Sequence, residues 1–313
     1  METTLGARVS EALRNSGCAA FGFAAAESLP AAADERFRRW LAGGNHAGMT
    51  YLERHAALRC RPQNVLEEAA TVISIAFRFQ KPHRASLPVA AYALGRNYHN
   101  ALKSRLKPIV SLLETSGHKA RITVDSAPVA ERFWAVKCGI ASYGMNGMAL
   151  VPGCGPYCFL CEILTSCDLT GLKPWFAAKQ EELPVCRGCG RCVAACPAGA
   201  LKADGALDAR RCLSYLSIEE KGEVTPPPGV RFPILGCDRC LAACPLPIDE
   251  EVPVIADFRS REELMNLSAG QILNMTDAEL EAFTAGTALR RPGKDALRRN
   301  ARLNLDAKWG VFP

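Results

Sequence analysis

The sequence predicts an α/β or α+β protein, followed by a small cysteine-rich unit and a helical, basic end. Three observations predict this. Strand-like and helix-like apolar spacings alternate over residues 1–175, eight of the 15 cysteines fall between Cys186 and Cys244, and basic residues gather after position 289. The implied division is 1–175, 176–250 and 251–313, with the first boundary near Lys173-Pro174.

Leu5, Val9 and Leu13 stand four apart, a helical stripe, and Phe37, Trp40 and Leu41 repeat it before Gly43-Gly44 ends the helix. Thr71–Phe77 reads as a buried strand. Leu102, Leu106, Ile109, Val110 and Leu113 mark a helix closed by Gly117, which Pro108 is expected to kink. Arg121–Val124 reads as a short strand. Between Leu183 and Pro247 cysteine, glycine and proline replace apolar periodicity, and Thr225–Gly229, with three consecutive prolines, reads as an extended linker. Thr276 and Glu279 form a capping box for a helix through Phe283, and a last helix is expected from Asp295 to Leu303.

At 313 residues and 49% hydrophobic content the chain can bury a sizeable core. It carries no uncharged apolar run of membrane-spanning length and no secretory leader pattern at Met1–Thr4, so a cytoplasmic location and no membrane partner are expected. In a reducing compartment, closely spaced cysteines point to metal ligation rather than to disulfides. From residue 285 onward, Arg290, Arg291, Lys294, Arg298, Arg299, Arg302 and Lys308 stand against Asp295 and Asp306, a net +5 of the chain's +6.

Cys186, Cys189, Cys192 and Cys196, followed by Pro197, have the C-x2-C-x2-C-x3-C-P spacing of bacterial ferredoxins. In that run the fourth cysteine ligates the other cluster. Cys237, Cys240 and Cys244-Pro245 form a second run short of one cysteine, and Cys212 completes it. The crossing rule places Cys186, Cys189, Cys192 and Cys244 on one 4Fe-4S cluster, and Cys237, Cys240, Cys196 and Cys212 on the other. Two zinc sites also suit C-x2-C pairs, but the two Cys-Pro endings favour iron.

A ferredoxin needs only some tens of residues, so the reaction centre is expected outside the cluster unit. Asp125 ends a predicted strand ahead of Ser126-Ala127-Pro128 and a helix. Two roles suit it there, a helix N-cap and a proton-donating acid.

Asp125–Arg132, the double cysteine run, Asp208–Leu216 and Gly236-Cys237-Asp238 together resemble the epoxyqueuosine reductases, and the likeness extends through Tyr92–His99, Leu289–Gly293 and Leu297–Ala301. The resemblance implies a cobalamin-dependent oxidoreductase, related to reductive dehalogenases. Such an enzyme reduces the epoxide of epoxyqueuosine in tRNA to queuosine with two electrons and two protons, releasing water. It implies a cobalamin-binding reductase domain, base-off cobalamin with no histidine ligand, and Asp125 as proton donor. By the same resemblance Arg59, Tyr92, Ser214, Asp238 and Arg239 contact the corrinoid. An external electron donor of the flavodoxin or ferredoxin type would feed the clusters. Arg290, Arg291, Lys294, Arg298 and Arg299 would meet tRNA phosphates, a reading the charge pattern also supports, although a solvated helix face explains it equally. A monomer is expected, since no dimerisation signal is visible.

The sequence departs from the family in places. Gly144-Met145-Asn146 stands where a Gly-Lys step is usual, Asn97 replaces the aspartate before Tyr-His, and Leu246-Pro247 follows Cys244-Pro245 in place of Trp-Asn. These changes keep open a paralogous reductase of a small epoxide or halide. A non-catalytic electron carrier is the third reading. Cys154, Cys158, Cys161 and Cys167 are read as small hydrophobes, despite a C-x3-C-x2-C spacing, and Cys18, Cys60 and Cys138 as core residues.

Overall fold

A computed structural model describes residues 4–82, 89–179 and 182–306. Lys308 and the first three residues of the amino terminus lie outside them.

Seven strands form: β1 (Ala20–Ala25), β2 (Thr71–Arg78), β3 (Ala120–Thr123), β4 (Ser142–Tyr143), β5 (Ala149–Leu150), β6 (Cys158–Thr165) and β7 (Trp175–Phe176). Five of them make the main sheet, in the order β3-β6-β2-β1-β7, and every pairing is antiparallel. The α+β form of the expected class is therefore the one adopted. The two central strands are buried along their length because both faces are covered.

One face carries Phe21, Ile73, Ile75, Phe159 and Ile163. It packs on the helices Leu5–Asn15 and Tyr98–Thr115 through Val9, Leu13, Leu102, Leu106, Ile109 and Leu113, the stripes seen in the sequence. The second of these runs as one helix of 18 residues through Pro108. The opposite face lies under the helix Glu131–Lys137, whose Trp134 and Ala135 are buried. Gly22 allows the close approach there, since a Cβ on it would lie 2.1 Å from the Cys138 carbonyl oxygen.

A second core joins Val89, Ala93 and Leu94 to Ile234, Leu235 and the carboxy-terminal helices through Leu264, Ile272, Leu280, Leu289, Leu297 and Ala301. Val89 and Leu235 form a parallel bridge, and the Ala90 N–H donates to the Leu235 carbonyl at 2.8 Å. Gly236, at φ +71°, fits against Ala90, whose Cβ would lie 2.6 Å from a Cβ at 236. The capping box of Thr276 and Glu279 forms as expected on the helix Asp277–Thr284. Among the described residues no helix is long and apolar enough to cross a membrane.

The additional cysteines behave as packing residues, with one exception. Cys161 belongs to one core face, while Cys154 and Cys158 lie in the core on the other. Residues 158 and 161 point to opposite faces of β6, so this trio does not converge on one ion. Cys18 and Cys138 are buried, but Cys60, expected in the core, sits at its edge. Its thiol donates to Asp34 Oδ1 at 3.0 Å, because the short helix Ala56–Arg59 turns that position toward the neighbouring helix Ala31–Ala42.

Candidate active site

Asp125 follows β3 with φ +50°, one of two non-glycine residues in the left-handed region among those described. Such a backbone costs free energy unless its surroundings hold it. Here the Asp125 N–H donates to Glu131 Oε1 at 2.5 Å, from the first turn of the helix that follows. The turn leaves the carboxyl exposed, and Asp125 is not the helix N-cap, a position taken by Ala130.

The helix Tyr98–Thr115 brings two further side chains to Asp125. The Tyr98 hydroxyl donates to Asp125 Oδ2 at 2.8 Å, and His99 Nε2 lies 3.3 Å from the same oxygen. Asn97 accepts from the His99 N–H and caps this helix, the task its usual aspartate counterpart would also perform. The two rings stack, with centroids 4.3 Å apart, and Tyr98 stacks on Phe159 from the core. Burial pushes the Tyr98 phenol well up, and Asp125's charge adds to it, so Tyr98 is a fixed hydrogen-bond donor. Burial lowers the His99 imidazole, which also bonds to the Val124 backbone.

A buried carboxylate pair lies beneath. Glu162 on β6 has no exposure and meets Ser74 and Thr123, its register partners on β2 and β3. Burial raises its carboxyl well above the ordinary range, and the charge of Glu131 adds to this. Glu131 is raised likewise, by burial first and Asp125 next. Neither residue stood out in the sequence; only the strand register puts Glu162 under this helix.

Of the positions named by resemblance, Arg59 and Tyr92 lie near Asp125, and Asp238 lies near Tyr92. Arg59 donates to the Val129 carbonyl at 3.2 Å, while its Nε is buried without a partner among the described residues. Tyr92 meets Tyr98 edge to face at 6.1 Å and is raised by burial, then by Asp238 and Asp125. Asp238 Oδ2 accepts the Ala91 N–H at 2.5 Å, and burial pushes its carboxyl up to about 6. Ser214 and Arg239 lie instead beside cysteines. The Ser214 N–H points at Cys212 and the Arg239 N–H at Cys237.

Seven of the eight cysteines sort into two spatial groups, and Cys244 lies with Cys240 near Tyr157. Cys186 and Cys189 lie near Cys192, and Cys196, Cys212 and Cys237 lie near Cys240. Burial and then the neighbouring sulfurs of Cys237 and Cys212 push the Cys240 thiol up to about 12. Backbone N–H groups aim at several sulfurs, including Met145 N–H on Cys186 at 3.4 Å and Ala200 N–H on Cys196 at 3.3 Å. Such donors stabilise thiolates, the form that binds iron. The grouped thiols and their backbone donors suit iron–sulfur ligation.

The expected phosphate contacts divide into two kinds. Arg299 donates to the carbonyls of Leu216, Glu220 and Gly222, Lys294 and Arg298 hold Asp277, and Arg291 pairs with Glu219 at 3.1 Å. Arg290 is exposed. An open cleft of about 220 Å³ lies beside Asp125, between Lys103, Thr123, Ser126 and Pro128. A larger one of about 360 Å³, lined by Arg78, Gln80, Glu250 and Arg259, involves none of the groups around Asp125.

An acid held on a strained turn, linked through Tyr92 to a double-cluster cysteine array, defines an iron–sulfur oxidoreductase. Residues 59–126 match the family model for epoxyqueuosine reductase QueG, DUF1730, and residues 185–247 match a 4Fe-4S double cluster binding domain. The chain is 33% identical to the epoxyqueuosine reductase of Gloeobacter violaceus over 96% of both chains. It is 32% identical to that of Escherichia coli, over 88% of this chain and 75% of the other. Epoxyqueuosine reductase from Streptococcus thermophilus superposes with TM-score 0.79 at 25% identity, over 95% of this chain and 80% of that one. A further structure, of epoxyqueuosine reductase with an epoxyqueuosine-modified tRNA-Tyr stem loop, shares the fold at TM-score 0.78 and 22% identity, with the same coverage. The chain belongs to the epoxyqueuosine reductase family.

Proposed function

We propose that this protein reduces the epoxide of epoxyqueuosine in tRNA to queuosine, with Asp125 as proton donor. Family membership supports the reaction, as does the tRNA stem loop in the structure of its fold relative. The observation that carries the site is the clasp on Asp125, in which Tyr98 and His99 share one carboxyl oxygen while Glu131 holds the backbone. Opening an epoxide leaves charge on oxygen, and a positioned acid answers it. The exposed carboxyl faces substrate, and Tyr98 fixes its direction.

In this reading residues 1–175 hold cobalamin, residues 176–250 the clusters, and residues 251–313 approach the tRNA. Cobalamin, when bound, supplies a strongly nucleophilic, two-electron metal centre at the epoxide. The unpartnered Arg59 Nε fits the amide acceptors at a corrinoid's edge, and Tyr92 and Asp238 complete that wall. His99 is engaged by Asp125 and Val124, which supports base-off binding without a histidine ligand. Cys186, Cys189, Cys192 and Cys244 would hold one cluster, and Cys196, Cys212, Cys237 and Cys240 the other. Arg290 is the basic side chain best placed for phosphates, because Arg291 pairs with Glu219 and Lys294, Arg298 and Arg299 brace the fold. We place the protein in the cytoplasm as a monomer, supplied by a flavodoxin or ferredoxin.

A second reading, a reductase of a small epoxide, draws on Met145, whose backbone N–H meets Cys186 and whose neutral side chain lies beside Gly188. Both are tested by loading the protein anaerobically with iron, sulfide and cobalamin and analysing nucleosides by mass spectrometry. Loss of one oxygen from epoxyqueuosine in tRNA, abolished by Asp125→Asn, is expected. Turnover of free epoxide alone would select the second reading.

A further inference from the structure

Electrons must enter the protein somewhere, and one face combines three features that suit that task. The first is an exposed cysteine. Cys189 is solvent-exposed, whereas the Cys196, Cys212, Cys237 and Cys240 group leads inward toward Asp238, Tyr92 and Asp125. The second is apolar surface. Val185, Tyr143 and Leu183 are 71%, 43% and 37% exposed, three of the six exposed large hydrophobic side chains among the described residues. They are neighbours, since the Ser142 hydroxyl bonds to the Pro184 carbonyl. The third is charge. Arg187 and Arg191 flank the cysteines, are exposed, and form no ion pair among the described residues; Arg36 and Arg132 lie near the Tyr143 hydroxyl. From residue 182 to 195 these two arginines stand against one carboxylate, Glu182.

We propose that this face docks a small acidic electron-carrier protein, which delivers one electron per encounter to the cluster on Cys186, Cys189 and Cys192. The proposal rests on the cluster assignment above and extends it by naming the surface and the partner. Two encounters supply the two electrons that, with two protons, convert one epoxide to an alkene and water; each carrier leaves oxidised by one electron. An apolar centre ringed by positive charge matches a transient redox encounter, in which complementary charge sets the association rate. A small chemical reductant needs no such face, and this separates docking from every later step.

The experiment uses the cluster-loaded protein without substrate and follows loss of cluster absorbance after mixing with reduced flavodoxin, or with dithionite. Arg187→Glu with Arg191→Glu is expected to slow the flavodoxin reaction by about tenfold at low salt, to flatten its salt dependence, and to leave the dithionite rate unchanged. Arg36→Glu, remote in sequence from the cysteines, should act in the same direction if the double variant loses iron. Wild-type flavodoxin rates in both variants would overturn the proposal. So would inhibition of flavodoxin reduction by excess unmodified tRNA, which would assign the face to RNA. Since no substrate is present, fast carrier-dependent reduction in a protein inactive on epoxyqueuosine would uphold docking while refuting the proposed function.

Discussion

Tyr98 and Asp125 meet at 2.8 Å between the start of a helix and the end of the strand that follows it, where the Asp125 backbone is left-handed. The donor is fixed, since burial keeps the phenol protonated. Tyr98→Phe therefore leaves the stack on Phe159 in place and frees the carboxyl to rotate. A fall in single-turnover epoxide reduction of about tenfold is expected, against about 100-fold or more for Asp125→Asn. Equal losses would mean that the hydroxyl itself donates the proton.

Glu131 is a positioning residue. Glu131→Ala removes the acceptor of the Asp125 N–H and should lower the single-turnover rate with little change in tRNA affinity, whereas Glu131→Gln, which retains an accepting oxygen, should recover much of it. A loss of affinity in step with rate would place Glu131 in substrate binding.

Glu162 makes stability depend on pH. Its folded pKa lies above its unfolded value near 4.5, so the native state holds the proton more tightly. The penalty is absent below the unfolded pKa and grows as pH rises from there toward the folded pKa. Glu162→Gln should thus match the wild type in Tm near pH 4 and exceed it at pH 7, by about 2 °C for each kcal/mol relieved. A lower Tm at pH 7 would show that the hydrogen bonds of Ser74 and Thr123 outweigh desolvation.

Gly22 has no room for a methyl group against the Cys138 carbonyl. Gly22→Ala should cost about 2–3 kcal/mol in chemical denaturation, through displacement of the helix Glu131–Lys137. It should lower epoxide reduction as well, since that helix carries Glu131.

Arg299→Ala strands three carbonyls and should destabilise the fold by about 2–3 kcal/mol. Arg290→Ala should leave stability unchanged and reduce the salt dependence of tRNA binding by about one counterion. The reverse pattern would restore Arg299 as a phosphate contact.

Much of this was legible in the sequence because local rules governed it. The stripes Leu5–Leu13 and Leu102–Leu113, the strand at Thr71, and the box at Thr276 each follow from nearest-neighbour periodicity or capping. Asp125 stood out from its place after a strand. Its partners did not, because Tyr98 and His99 reach it through tertiary packing, and Glu162 comes under Glu131 through strand register, neither of which spacing along the chain encodes. Basic charge after residue 289 was equally visible, but charge counts cannot distinguish an arginine facing solvent from Arg299, whose donors are spent on backbone carbonyls.

The second core also bears on how the protein is made. Ala93 and Leu94 leave the ribosome long before Leu289, Leu297 and Ala301, which share their core. The core behind Tyr92 is therefore completed only when the helix Lys294–Asp306 joins it. Removal of Leu289, Leu297 and Ala301 would then unsettle the wall that carries Tyr92, remote from them in sequence.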